Sequence, residues 1–222
     1  MTVADKLRIG VLVSGGGSNL QAILDAIGAG RLDAEVAVVV SNVAAAQGLE
    51  RARKAGVPAV VIDHTAFPSR EAFDAAVVDT LRAHEASWIV LAGFMRVVTS
   101  VLLDAFPMRV VNIHPALLPS FPGVHAQKQA LAYGVRVTGC TVHLVDAGTD
   151  TGPIIAQAAV PVLEGDTEAS LTARILAEEH ALFPQVLQWI AEGRVTIERG
   201  DGRPRVRVEG ALPLRGLARA GD

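Results

Sequence analysis

An α/β fold built on an open, mostly parallel sheet is predicted by three features of the 222-residue chain. Short apolar runs at Ile9 to Val13, Val36 to Val40, Val57 to Ile62, Trp88 to Ala92 and Val110 to Ile113 alternate with stretches of helical spacing, as successive βαβ units require. The first run opens directly into a glycine loop, Ser14-Gly15-Gly16-Gly17-Ser18-Asn19, and then into Leu20, Ile23, Leu24 and Ile27 at helical spacing. The second half instead offers two strands, Val135 to Val145 and Ile154 to Val160, joined by an Asp- and Gly-rich loop, which predicts an antiparallel pair. The expectation is a Rossmann-like sheet flanked by helices, with antiparallel strands in the carboxy-terminal half.

Composition narrows the function classes. Half of the residues are hydrophobic, enough for one well-cored domain over 1–222, divided at about 8–110, 111–193 and a closing hairpin and tail at 194–222. The net charge is −3 and the basic residues are dispersed, so no nucleic-acid footprint is present and small molecules are the expected partners. A single cysteine, Cys140, excludes an internal disulfide framework, and six scattered histidines give no zinc spacing, so no metal is expected. Met1 to Lys6 lacks a signal-type apolar run and no stretch is long enough to cross a bilayer; a cytoplasmic protein without a membrane partner is expected. Monomer and homodimer both stay open.

Taken in order, the first loop reads as a phosphate cradle. Ser18, with Gln21 three residues on, has capping-box spacing, and the amides at that helix end suit an anion. The same glycines would equally serve a tight turn that permits close packing. Leu20 stands where a dinucleotide fingerprint needs its third glycine, and the second strand ends in Ser41-Asn42 rather than an acid, which disfavours nicotinamide binding. Gly17-Ser18-Asn19 is no Gly-Lys-Ser/Thr, which disfavours triphosphate hydrolysis and leaves a monophosphate. Gly48 to Ala55 reads as a helix closed by Gly56, and Pro58 lies near the start of the third strand. Ser69 caps a helix with Phe73, Ala76, Val77, Thr80 and Leu81 on one face. Arg70 in its first turn opposes the helix dipole, a misfit of at most about 1 kcal/mol that suits an anion binder as well as a solvated arginine. After the fourth strand, Met95, Val97 and Val98 either line an apolar pocket or join the core.

The fifth strand ends in Asn112-Ile113-His114-Pro115, and the following prolines forbid its continuation. Asn112 and His114 then share one side of a strand's carboxyl edge, where open α/β sheets place their chemistry. Alternatively, His114 satisfies loop backbone and Asn112 makes an Asx turn. His125 to Tyr133 is expected as a helix stopped by Gly134. In the loop after the sixth strand, Asp146 reads as turn chemistry, whereas Asp150 is kept as a candidate for function. Thr167 caps a long helix with Leu171, Ile175, Leu182, Val186 and Ile190 inward; Pro184 is expected to break or kink it, and Glu178-Glu179-His180 lies midway. Arg194 to Glu198 and Arg205 to Glu209 read as a hairpin followed by a tail.

Four segments in order, Ser14-Gly15-x-Gly17-Ser18-Asn19-Leu20, Ala92-Gly93-Phe94-Met95-Arg96, Asn112-Ile113-His114-Pro115-x-Leu117-Leu118-Pro119 and the Asp150 loop, strongly resemble the folate-dependent glycinamide ribonucleotide formyltransferases, from about Ile9 to Ile197. The resemblance implies the formyltransferase fold and transfer of a formyl group from 10-formyltetrahydrofolate, as co-substrate, to the amine of phosphoribosylglycinamide in purine biosynthesis. It implies Asn112, His114 and Asp150 as the catalytic set, and Gly17, Ser18 and Asn19 on the substrate phosphate with Glu179 on the glycinamide substrate. Arg70, Met95, Arg96, Val97 and Val98, with Asn112, are implied to border the folate, and Leu118-Pro119 to be a cis peptide. Ala116 stands where the family often has Ser, Cys140 where Thr is common, and Thr151 where Gly is usual. The Asp-Thr-Gly version is shared with methionyl-tRNA formyltransferases, whose nucleic-acid-binding extension the residues after Arg194 are too few and too mixed in charge to supply. The alternatives are another formyltetrahydrofolate-dependent transferase or hydrolase, and a non-catalytic phosphate-ligand module in which His114 and Asp150 are structural.

Overall fold

The structure, a computed structural model, describes residues 6–199 and 202–210 and the backbone of 214–215; the tail beyond lies outside the described residues. The chain forms two compact units, Met1–Asn112 and Ile113–Asp222. In the first, β1 (Leu7–Val13), β2 (Ala34–Ser41), β3 (Ala59–Val61), β4 (Trp88–Leu91) and β5 (Val110–His114, crossing into the second unit) pair in the order β3-β2-β1-β4-β5, and every pairing is parallel. Val11 to Val13 and Val38 to Val40 are wholly buried, because a parallel sheet is covered on both faces and its strands read as continuous apolar runs. Helices α1 (Ser18–Gly28), α2 (Gln47–Lys54), α3 (Arg70–Ala83) and α4 (Ser100–Ala105) fill the crossovers. Strand order reverses between β1 and β4, so the loops leaving the carboxyl ends of these two strands flank the crevice where such sheets receive ligands.

In the second unit β6 (Val137–Leu144) and β7 (Ile154–Pro161) are antiparallel and the short β10 (Leu214–Arg215) runs parallel to β7. The strands β8 (Val195–Glu198) and β9 (Arg205–Val208) form the expected hairpin. Helix α5 (Ala126–Tyr133) ends at Gly134 in the left-handed conformation, and α6 (Glu168–Ala191) starts at the Thr167 cap, whose hydroxyl accepts from Ser170 N–H in a reciprocal capping box. The fold class is the expected one. No helix among the described residues is long and apolar enough to cross a membrane.

Two local expectations are corrected. Ser18 is not the cap of α1 but its first residue; Gly17 takes the cap position at φ 69° and no side chain caps the helix. Pro184 does not break α6, which runs unbroken through it. The proline costs roughly 3 kcal/mol in a helix interior, but Leu182, Phe183, Val186 and Leu187 around it are fully buried, at about 1.5–3 kcal/mol each. Helix α4 and the 3-10 turn His64–Ala66 escape the sequence reading because each is too short to show a hydrophobic period.

Candidate active site

The glycine loop is fixed by contacts inside the first unit. At Gly17 a Cβ would lie 2.6 Å from Gly48 Cα, so a left-handed turn and a backbone-to-backbone approach both demand glycine there. Gly48 N–H donates to Gly15 O at 3.0 Å, and Arg51 Nε donates to Gly16 O at 2.8 Å. The first intrahelical bond of α1 is Gln21 N–H to Gly17 O at 3.0 Å, so the amides of Ser18, Asn19 and Leu20 precede the helical ladder. These amides, at the positive end of the helix dipole, suit a phosphate.

The loop after β4 stands beside this one. Its Met95 and Val97 side chains are 71% and 52% exposed, whereas Val98 is buried at 8%. Phe94 stacks on Phe73 at 6.4 Å between ring centroids, and the Arg96 guanidinium lies over the same Phe73 ring at 4.9 Å. Arg70, exposed, follows the Ser69 cap, whose hydroxyl accepts from Ala72 N–H at 3.1 Å. Thr99 at the far end is clamped by the buried Asp74 carboxylate, which accepts from its N–H at 2.6 Å and its hydroxyl at 2.8 Å.

The second unit gathers a cluster of buried titratable groups. His114 Nδ1 lies 3.3 Å from one Asp150 carboxylate oxygen, and His143 Nε2 lies 3.6 Å from the other. Gly123 N–H donates to the His114-side oxygen at 2.7 Å. Asp150 sits at φ 53° in a loop closed by Asp146, which accepts from Gly148 N–H at 3.0 Å and from the Thr151 hydroxyl at 2.6 Å. Asp146 is thus the turn residue the sequence suggested, and Thr151 is absorbed by hydrogen-bonding to it. Thr141 pins the loop after β5 from the other side: its hydroxyl donates to Ala116 O at 2.7 Å and accepts from Leu118 N–H and Gln157 Nε2, each at 3.0 Å. The Leu118-Pro119 bond in that loop is cis.

The outer nitrogen of each ring decides the proton inventory. His114 Nε2 is 2.8 Å from Phe121 O and His143 Nδ1 is 2.9 Å from Leu144 O; a carbonyl only accepts, so both nitrogens carry hydrogen. In its neutral form the His114 ring then turns a bare nitrogen toward the Asp150 carboxylate, a repulsive arrangement. A proton added to His114 Nδ1 converts its contact with Asp150 into a charge-assisted hydrogen bond. Burial pushes the His114 pKa down and outweighs the raising effects of the Phe121 carbonyl and Asp150, while His143 lowers it further. The Asp150 carboxylate favours the imidazolium, as a nearby negative charge must, but desolvation is larger. Burial would raise the Asp150 carboxyl, yet His143, the Gly123 N–H and the His114 ring hold it below the ordinary carboxylate value.

Of the candidate residues, His114 and Asp150 are brought together in this cluster. Asn112 lies two residues before His114 on β5, in register with Leu91. Glu179 is buried on α6 at 4% exposure, and a carboxylate so buried requires hydrogen-bonding partners. His143 is not among the residues the sequence singles out; period-two alternation only sets it on one face of β6 with Val137, Gly139 and Thr141. Its β6 setting carries no local motif; a tertiary pairing of β6 with the Asp150 loop was needed to find it. Among the described residues no group of three or more His, Cys, Asp or Glu side chains is set to hold a metal ion.

Comparison with known proteins places the chain. The family described as formyl transferase matches residues 7–187. The chain is 45% identical over 189 residues to phosphoribosylglycinamide formyltransferase of Escherichia coli, covering 85% of this chain and 89% of that protein. It is 52% identical over 188 residues to the trifunctional purine biosynthetic protein adenosine-3 of Drosophila pseudoobscura pseudoobscura; this covers 84% of the chain but only 14% of that much longer protein. Among solved structures, glycinamide ribonucleotide transformylase 1 from Symbiobacterium toebii superposes with a TM-score of 0.88 at 59% identity, covering 91% of this chain and 94% of that one. With the match extending over most of its length, the chain belongs to the formyl transferase family.

Proposed function

We propose that the protein transfers the formyl group of 10-formyltetrahydrofolate to the amine of phosphoribosylglycinamide, a step of purine biosynthesis. The observation that carries the reading is the buried His114–Asp150–His143 cluster, whose inner nitrogens and carboxylate become mutually attractive on gaining a proton. The names of the relatives agree with it.

In this reading the neutral amine attacks the formyl carbon, the carbonyl oxygen gains negative charge, and the tetrahedral intermediate collapses with the folate N10 as leaving group. The amine loses one proton overall and N10 gains one. The Asn112 amide and the His114 Nε2–H are the donors assigned to the oxyanion. Phe121 O occupies that His114 donor in the structure, so the formyl oxygen has to replace this carbonyl; an oxyanion is the stronger acceptor, and the exchange favours the transition state over the ground state. Asp150 favours the His114 imidazolium and, with His143, relays the proton between amine and leaving nitrogen.

The amides of Gly17, Ser18 and Asn19 take the substrate phosphate, and Glu179 receives the donors of the glycinamide end. Met95, Val97 and Val98 carry the apolar part of the folate, while Arg96 and Arg70 meet its glutamate carboxylates. Incubation with phosphoribosylglycinamide and 10-formyltetrahydrofolate, followed by absorbance of the deformylated folate, tests the proposal. Turnover that needs both compounds is expected. Folate deformylation that proceeds equally without the ribonucleotide would identify a hydrolase, and phosphate-dependent binding without turnover would identify a non-catalytic module.

A further inference from the structure

The loop that follows β1 and the loop that follows β4 are joined by more than proximity. Ser14 N–H donates to Gly93 O at 3.0 Å, and Met95 N–H donates to Ser14 Oγ at 2.8 Å. The single hydroxyl proton of Ser14 is directed to Asn42 Oδ1 at 2.6 Å, which leaves its lone pair for Met95. Asn42, buried just after β2, lies beside His64, whose Nδ1 is 3.1 Å from the Asn42 backbone carbonyl and 3.3 Å from its amide nitrogen.

Resting on the reading that Met95 to Val98 border the folate, we propose that Ser14 is a positioning residue for that segment, with Asn42 orienting the Ser14 hydroxyl. The segment holds Met95 and Val97 out into solvent, an arrangement that needs external support because burial cannot supply it. Ser14 fixes its beginning and Asp74 fixes its end at Thr99. A segment held in this way presents a preformed apolar surface, and a planar ligand that docks there is spared the cost of ordering it. The phosphate loop is anchored separately, through Gly48 to Gly15 and Arg51 to Gly16. Loss of the Ser14 hydroxyl therefore acts on one ligand and spares the other.

Steady-state kinetics with each substrate varied in turn tests this. Ser14→Ala is expected to raise the KM for 10-formyltetrahydrofolate about tenfold, the scale of one or two lost hydrogen bonds, with the KM for phosphoribosylglycinamide changed by less than about twofold. Ser14→Thr, which restores a hydroxyl, should return the folate KM to within about threefold of the parent. If Ser14→Ala does not fold, Asn42→Ala, which removes only the acceptor that orients the hydroxyl, must give the same selective rise. Equal rises in both KM values, or no rescue by threonine, overturn the proposal. Val97→Arg separates the two layers. If it leaves the folate KM unchanged, the folate assignment of the segment is wrong; if it raises that KM while Ser14→Ala does not, the assignment stands and the role of Ser14 falls.

Discussion

The two halves of the proposed chemistry are built from different materials. In the first unit the phosphate loop is made of backbone: glycines, helix amides and carbonyls tied to Gly48 and Arg51, with almost nothing contributed by side chains of the loop itself. In the second unit the cluster is made of side chains: His114, His143 and Asp150, each from a different strand or loop and each nearly excluded from water. Backbone amides carry fixed partial charge and are suited to holding a substrate whose charge does not change. Titratable side chains in a low dielectric shift with every proton and are suited to a reaction in which charge moves. Substitutions in the two regions should therefore fail in different ways.

The largest effect belongs to the cluster. His114→Ala and Asn112→Ala should each remove roughly 3 kcal/mol or more of transition-state stabilisation, about a hundredfold in kcat, while substrate affinity changes far less. Since both donors serve one oxyanion, the double variant should lose less than the sum of the singles. Gly17→Ala should fail in the opposite way. Its strained left-handed backbone costs about 1–2 kcal/mol and its Cβ would press on Gly48, so the KM for the phosphate-bearing substrate and the melting temperature should suffer while kcat is largely kept. If Gly17→Ala instead lowers kcat at unchanged KM, the division between a holding loop and a reacting cluster is broken.

The different materials also explain what the sequence disclosed. The glycine loop is legible because its parts are contiguous: a strand, a run of glycines and a helix follow one another over residues 7–28. His114 is suspected from its place at a strand end before prolines, and Asp150 is a bare candidate in its loop until the family resemblance gives it a role. His143 stayed hidden because its partner is brought to it by the antiparallel pairing of β6 and β7 and by a register shift between Val142 and His143. The net direction of the His114 pKa shift is hidden in the chain for a similar reason. A neighbouring carboxylate can be guessed from the chain, whereas the depth of burial that outweighs it cannot. Helix caps divided along the same line: Ser69 and Thr167 cap by local side-chain chemistry and were found, but Gly17 displaced Ser18 because of a contact with Gly48, thirty-one residues away.

Smaller effects sharpen the comparison. Thr141→Val keeps the shape but removes a hydroxyl that serves Ala116, Leu118 and Gln157, and should cost about 1–3 kcal/mol in urea unfolding, with activity falling because the loop beside His114 loosens. The pH dependence of stability should be milder and staged. The folded-state pKa of His114 lies below its ordinary 6.5, so the unfolded chain binds more protons in that window. Its contribution is complete above 6.5 and is lost as pH falls through the folded value. Asp150, lowered from 3.8, contributes above that pH and is lost only as pH falls further. Urea midpoints measured across this range should decline in two stages, and His114→Gln should abolish the first and shrink the second, because the His114 ring helps hold the Asp150 carboxyl down.

The central claim is that His114, held beside the Asp150 carboxylate, gains a proton on Nδ1 while keeping the one on Nε2, and nitrogen-15 NMR of its ring reads this most directly. At pH 7.5 the His114 ring should be neutral with hydrogen on Nε2, and on acidification Nδ1 should gain the proton while Nε2 keeps its own. In Asp150→Asn, which keeps the shape and removes the charge favouring imidazolium, that Nδ1 titration should move to lower pH. A neutral His114 with hydrogen on Nδ1, or a titration that Asp150→Asn leaves in place, would contradict the account.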